Sequence, residues 1–277
     1  MVCIIESSNF IWGMSMNRNG FTLIELLVVI AIIALLLAIL MPSLNIAKEK
    51  AAGVVCLSNL GNMGMAWHVY CSENNQKMVS ARTETGSDHW VHQPLDDNGN
   101  IVNPADTGID EEVNGIRAGA LYPYLKDFKV YHCPGDKRSA KSPKHGGSGK
   151  GGYRTYSIPA GMNGYQNVIK SLKKVTQLRS TDTKYIFVEE MDGRGFNPGS
   201  WQIFPDGKGW IDPVAIWHNN ASTLALADGH AESHKWHGEK VLAMTTDERN
   251  VSTSLTDPDD IEDYEFMRRG YAHEGNR

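Results

Sequence analysis

Residues Phe21–Met41 read FTLIELLVVIAIIALLLAILM, twenty-one residues in which Glu25 is the sole charge. As an α-helix rising about 1.5 Å per residue, the run covers roughly 30 Å, the hydrocarbon thickness of a bilayer. A core helix of this length would keep one polar face, and this one has none. The stretch therefore predicts a membrane-spanning helix. The rest of the chain is ordinary by comparison: 277 residues, 41% hydrophobic, 21% charged and a net charge of −5. That composition excludes wholesale disorder, and it supplies no global basic field to recruit nucleic acid. Four cysteines are too few for a disulfide-built scaffold.

The flanks narrow the kind of segment. A secretory signal has a short apolar stretch and a small-residue cleavage site after it. Here the run is longer, and Leu40-Met41-Pro42-Ser43-Leu44 offers no such site. Arg18 precedes the run and Lys48 and Lys50 follow it, a balance that fixes no orientation. Glu25 is the costly residue, because a carboxylate in hydrocarbon demands a positive partner. A cut after Gly20 would supply one in the new amino group of Phe21.

Gly20-Phe21-Thr22-Leu23-Ile24-Glu25, followed by this apolar run, resembles the prepilin signature of type IV pilins and type II secretion pseudopilins. The resemblance implies cleavage between Gly20 and Phe21 by a prepilin peptidase, and N-methylation of Phe21. It also implies that Glu25 pairs with a neighbouring subunit's amino terminus during assembly. Pro42 falls where such pilins often carry a helix-kinking proline. Twenty residues precede the cut, whereas leaders of this type are commonly short and basic. Met14 or Met16 would open leaders of seven or five residues.

Beyond Pro42 the helical period continues. Cys56, Leu60, Met63, Trp67 and Tyr70 step by four, three, four and three, which places them on one face. The spacing predicts an amphipathic continuation over residues 42–76 that stops near Asn74-Asn75. Gly53, Gly61 and Gly64 weaken it, each by up to about 1 kcal/mol. The expected organisation is a leader (1–20), a transmembrane or filament-core helix (21–41), that continuation (42–76) and a globular head (77–277).

Without Glu6, Arg18 and Glu25 the chain keeps 30 acids and 26 bases, a weakly acidic balance that suits an exported domain. Strands are expected at Phe128–His132, Tyr185–Glu190, Trp201–Phe204, Ser222–Ala227 and His230–Trp236, which are rich in aromatic and branched residues. Asp228-Gly229 reads as a tight turn between the last two, and Asn98-Gly99 as a second hairpin signal. The glycine-rich stretch 139–152 fails the phosphate-loop spacing and reads as a surface loop. At the C-terminal end, Asp257 is the expected cap of a helix, with Pro258 at its first position and Arg268-Arg269 near its end.

No metal-protease helix motif and no serine elbow is present, so no enzyme is expected. His230, His234 and His237 form a poor three-histidine zinc set, because His237 points away from the face that His230 and His234 share; a metalloenzyme around His218, His230 and His234 is the last of the readings. No catalytic, cofactor or metal ligand is assigned. The acids Glu189, Glu190 and Asp192, with Asp182 or Asp228, are a grouping considered for calcium, whereas the acidic run Asp257–Glu265 lacks the spacing of a calcium loop and reads as the capped helix. His218, nine further residues and then Asp228-Gly229 resembles the H-x9-D-G element of a large bacterial group of pilin-like proteins. So, in order, do Cys56-Leu57-Ser58-Asn59-Leu60, Cys133-Pro134-Gly135-Asp136 and Tyr156-Ser157 before Gly161-Met162-Asn163. For His218 itself the residues suggest a buttress to the Asp228-Gly229 turn.

Cys56, Cys71 and Cys133 remain after processing, and an exported head would oxidise one pair. The resemblance favours Cys56 with Cys133; Cys71 with Cys133 stays open. The fold class expected is α+β: a long N-terminal helix packed on a C-terminal antiparallel sheet domain. Its expected role is that of a pilin or pseudopilin-like filament subunit. The expected location is the bacterial inner membrane, crossed once, with the head in the periplasm. Partners would be the peptidase, other pilin-like subunits, the assembly machinery and the membrane, without nucleic acid. The alternative is a tethered binding protein that presents Trp90, Trp201, Trp210 and Trp217 to a ligand.

Overall fold

The computed structural model describes residues 21–84, 86–102, 107–136, 153–164, 170–191, 199–207, 209–244 and 255–276. The leader, Gly20 and the 139–152 loop lie outside these residues. Helix α1 runs Leu23–Glu73 and contains Pro42. Every residue from 21 to 51 is exposed. Two compact units divide between Asn45 and Ile46, so the amphipathic part of α1 folds with the head. There Cys56, Leu60, Met63, Trp67 and Tyr70 are all buried, the one-sided stripe their spacing predicts. The helix ends at the two asparagines: Asn74 Nδ2 donates to the Tyr70 carbonyl at 2.8 Å, and Asn75 takes a positive φ.

The head is built on β1 (Tyr156–Ser157), β2 (Tyr185–Glu189), β5 (Ala221–Leu226) and β6 (Ala231–Lys235). They form one antiparallel sheet in the order β1-β2-β5-β6. A two-stranded ribbon joins β3 (Ile203–Phe204) to β4 (Gly209–Trp210). Register runs Tyr185↔Leu226 and then Phe187↔Ala225, a one-residue slip that bulges β2. The slip places neighbouring Ile186 and Phe187 in the same apolar cluster, with Cys56, Leu60, Met63 and Trp67 of α1. Tyr185, Val188, Leu224 and Leu226 enter a second cluster with Trp201, Trp210, Trp236 and Tyr264. The central strands β2 and β5 are thus buried on both faces, which is why every residue in them is buried, while the edge strand β6 is partly exposed.

Five helices accompany the sheet among the described residues: α1, α2 (Ile109–Ala118), α3 (Tyr122–Leu125), α4 (Glu239–Ala243) and α5 (Pro258–Gly270). In α5 the Asp257 carboxylate accepts from the Asp259 N–H at 2.9 Å, and Pro258 is the first helical residue. Phe128–His132 is not a strand. Residues Phe128–Tyr131 form a 3-10 turn, because the Asp127 side chain accepts from the Lys129 N–H at 2.9 Å and turns the backbone. Asn98-Gly99 closes a single antiparallel bridge, Leu95↔Ile101, with Gly99 at φ +81°. Trp90, Trp201 and Trp210 are core residues, so they form no exposed binding platform.

Candidate functional site

At the start of α1 the backbone N–H groups lack partners one turn earlier. Thr22 and Glu25 satisfy them reciprocally. The Glu25 N–H donates to Thr22 Oγ1 at 3.2 Å, and Glu25 Oε2 accepts from both the Thr22 N–H and its hydroxyl at 2.8 Å. This is a capping box, Thr-x-x-Glu, and its signature was already present in residues 22–25. Glu25 is therefore seated one turn from the point where the signature places the cut. Phe21 opens the described chain, with its side chain exposed.

A second polar group lies inside the head. Cys56 comes from α1, Cys133 from the turn after the 3-10 segment, Glu189 from the end of β2 and His218 from the approach to β5. All four are buried, and one ligand atom from each lies within 4.8 Å of the others. The two Sγ atoms are 2.9 Å apart, and both are free thiols. His218 Nε2 is 3.4 Å from Cys133 Sγ and 2.9 Å from Glu189 Oε1, while Nδ1 lies 3.2 Å from the Glu49 carbonyl. Glu189 Oε2 accepts from the Thr223 N–H at 2.8 Å.

These contacts move the titrations. The hydrogen bond with Cys133 brings the Cys56 thiol down to about 7 against the opposing effect of burial. Burial, with the bond to Cys56, pushes the Cys133 thiol up. For His218, burial disfavours the charged ring, yet hydrogen bonds to Cys56 and Glu189 outweigh it and lift its pKa to about 10. Cys71 is buried apart from this group, and burial pushes its thiol up to about 12.

The other residues singled out by sequence disperse. The ring of His218 meets Glu49, Cys133 and Glu189 and is not the buttress of the Asp228-Gly229 turn. The turn itself forms at Asp228-Gly229, with Gly229 at φ +102°, and His68 of α1 lies beside the glycine. His230 pairs with Asp228 at 2.6 Å, and His234 stacks on Phe266 with ring centroids 3.5 Å apart. The residues considered for calcium separate too. Glu189 faces His218, Ser157 donates its hydroxyl to Glu190, and Asp192 lies outside the described residues.

The sequence model described as "Prokaryotic N-terminal methylation motif" matches residues 15–41. The Type IV wide pilus major component PilA4 of Thermus thermophilus is 46% identical over 59 residues, which cover 21% of this chain and 45% of that protein. The Type II secretion system core protein G of Aeromonas hydrophila is 35% identical over 78 residues, 28% of this chain and 52% of that protein. The chain thus spans about half the length of the curated relatives it matches. No solved structure matches it. An exposed apolar helix headed by the Thr22–Glu25 box therefore carries the prokaryotic N-terminal methylation motif, and its homologues are a type IV pilus component and a type II secretion core protein.

Proposed function

We propose that this chain is a structural subunit, pilin or pseudopilin-like, of a type IV pilus or type II secretion-like filament. A prepilin peptidase cuts between Gly20 and Phe21 and the new amino terminus is methylated. The exposed apolar run then holds the subunit in the inner membrane, with the head on the periplasmic side. On assembly the same run becomes filament core, packed head-to-tail in an open-ended helical array. Other pilin-like subunits and the inner-membrane machinery are its partners, and no catalysis is involved. The observation that carries this reading is the exposed apolar surface that runs from Leu26 to Met41, preceded by a carboxylate held at the helix start.

Glu25 sets register by pairing with a Phe21 amine in a low-dielectric setting, where such a pair is far stronger than in water. Intact mass of chain extracted from native membranes is expected to give a start at Phe21 with one added methyl. Glu25→Gln is expected to leave that processing intact and to lower the yield of sheared filaments. A chain that retains residues before Phe21, or an unchanged filament yield in the variant, would count against the proposal.

A further inference from the structure

His218 meets hydrogen-bond acceptors at both ring nitrogens. The Glu49 carbonyl can only accept, so Nδ1 carries a proton and donates to it. In the neutral ring Nε2 is then a lone pair, yet it faces the Glu189 carboxylate at 2.9 Å and Cys133 Sγ at 3.4 Å. A proton or a metal ion at that point reconciles the three groups. A second ring proton would satisfy Nε2 and Glu189, but it would leave the two buried thiols facing each other. A divalent ion draws on all four donors at once.

We propose that Cys56 Sγ, Cys133 Sγ, His218 Nε2 and Glu189 Oε1 form a closed Zn²⁺ site inside the head. Two thiolates, an imidazole and a carboxylate are a donor set that suits this ion. With bonds of about 2.3 Å to sulfur and about 2.0–2.1 Å to nitrogen and oxygen, a tetrahedron has edges of about 3.4–3.8 Å. The Sγ–Sγ, Sγ–Nε2 and Nε2–Oε1 separations are 2.9, 3.4 and 2.9 Å, so these three edges open by less than 1 Å to admit the ion, and the other three lie within 4.8 Å.

The surrounding groups are those that orient ligands. The Glu49 carbonyl fixes the histidine tautomer that aims Nε2 inward. The Gly135 N–H donates to Cys133 Sγ at 3.3 Å, which favours the thiolate, and the Thr223 N–H holds the second carboxylate oxygen. Glycine at 135 leaves room for this packing, since a Cβ there would stand 3.0 Å from Trp217 Cβ and 3.3 Å from His218 Cε1.

Each thiol releases its proton when the ion binds. Four protein ligands leave no open position, so the site is a clamp and performs no hydrolysis. It fastens α1, the Cys133 turn, β2 and the approach to β5. A Cys56–Cys133 disulfide would occupy the same space and exclude the ion.

The test uses the full chain in mild detergent, reduced and stripped with a chelator. Refilling with zinc is expected to reach one equivalent by elemental mass spectrometry. Refilling with cobalt(II) is expected to give tetrahedral ligand-field bands and a sulfur-to-cobalt charge-transfer band. Cys133→Ser should lose charge-transfer intensity and His218→Ala should lose the tetrahedral bands, while Cys71→Ser leaves the spectrum unchanged. Failure of the wild-type chain to take up zinc or cobalt overturns the site, as does a spectrum that His218→Ala leaves intact. Metal-free chain from native membranes, with Cys56 joined to Cys133 in its non-reduced peptide map, overturns it in favour of the disulfide.

Discussion

At Asp263 two backbone N–H groups, from His237 at 2.9 Å and Gly238 at 2.7 Å, converge on one carboxylate oxygen. Burial alone would raise this acid, but the approach of His234 and the two N–H bonds outweigh it and hold it below the ordinary aspartate range. The stabilisation is fully present above the unfolded value of about 3.9 and is lost as pH falls through the lower folded value. Asp263→Asn is expected to cost about 1–3 kcal/mol at neutral pH and to flatten the acid limb of a denaturation series. Cys71 offers a different test. Its thiol is buried and raised to about 12, so iodoacetamide should modify it only after denaturant opens the core. Rapid labelling in native buffer would contradict the packing.

Among elements, α1 presents two chemistries in one helix. Leu60 is fully buried in the head cluster, and Leu60→Ala should cost about 2–5 kcal/mol. Val54 is 67% exposed, so Val54→Ala should stay within about 0.5 kcal/mol; urea denaturation of both variants measures the contrast. This stripe, the helix stop and the Asp257 cap were legible because each depends on residues within a few positions of one another. The 3-10 turn at Phe128 was missed because a single Asp127 side chain overrides the aromatic and branched residues that favour a strand. The burial of Trp90, Trp201 and Trp210 was hidden for another reason: it requires knowing which elements pack together. Of the Cys56–Cys133–Glu189–His218 cluster, the resemblance brought only the two cysteines together; the joining of Glu189 and His218 to them was hidden most deeply. Its members come from four separate elements, and no spacing rule joins them. The Thr22–Glu25 box could have been read from its Thr-x-x-Glu signature, which the charge question at Glu25 obscured.

For the whole molecule, the division between Asn45 and Ile46 implies that the head needs none of the apolar run for its own core. A chain lacking residues 1–45 is expected to be soluble without detergent and to keep the near-ultraviolet dichroism of its buried tryptophans. Aggregation of that fragment would show that the apolar run protects the head. The order of synthesis also matters, because the stem leaves the ribosome long before its coverings. The Cys56–Cys133 contact bridges 77 positions and the His218–Glu49 contact 169. Contacts of such sequence separation close late and slow folding. Through that interval the stripe from Cys56 to Tyr70 stands unclothed, a sticky surface on a chain not yet folded. Until β5 arrives, that stripe has nothing of its own chain to lie against, and the topology itself sets how long the stem waits.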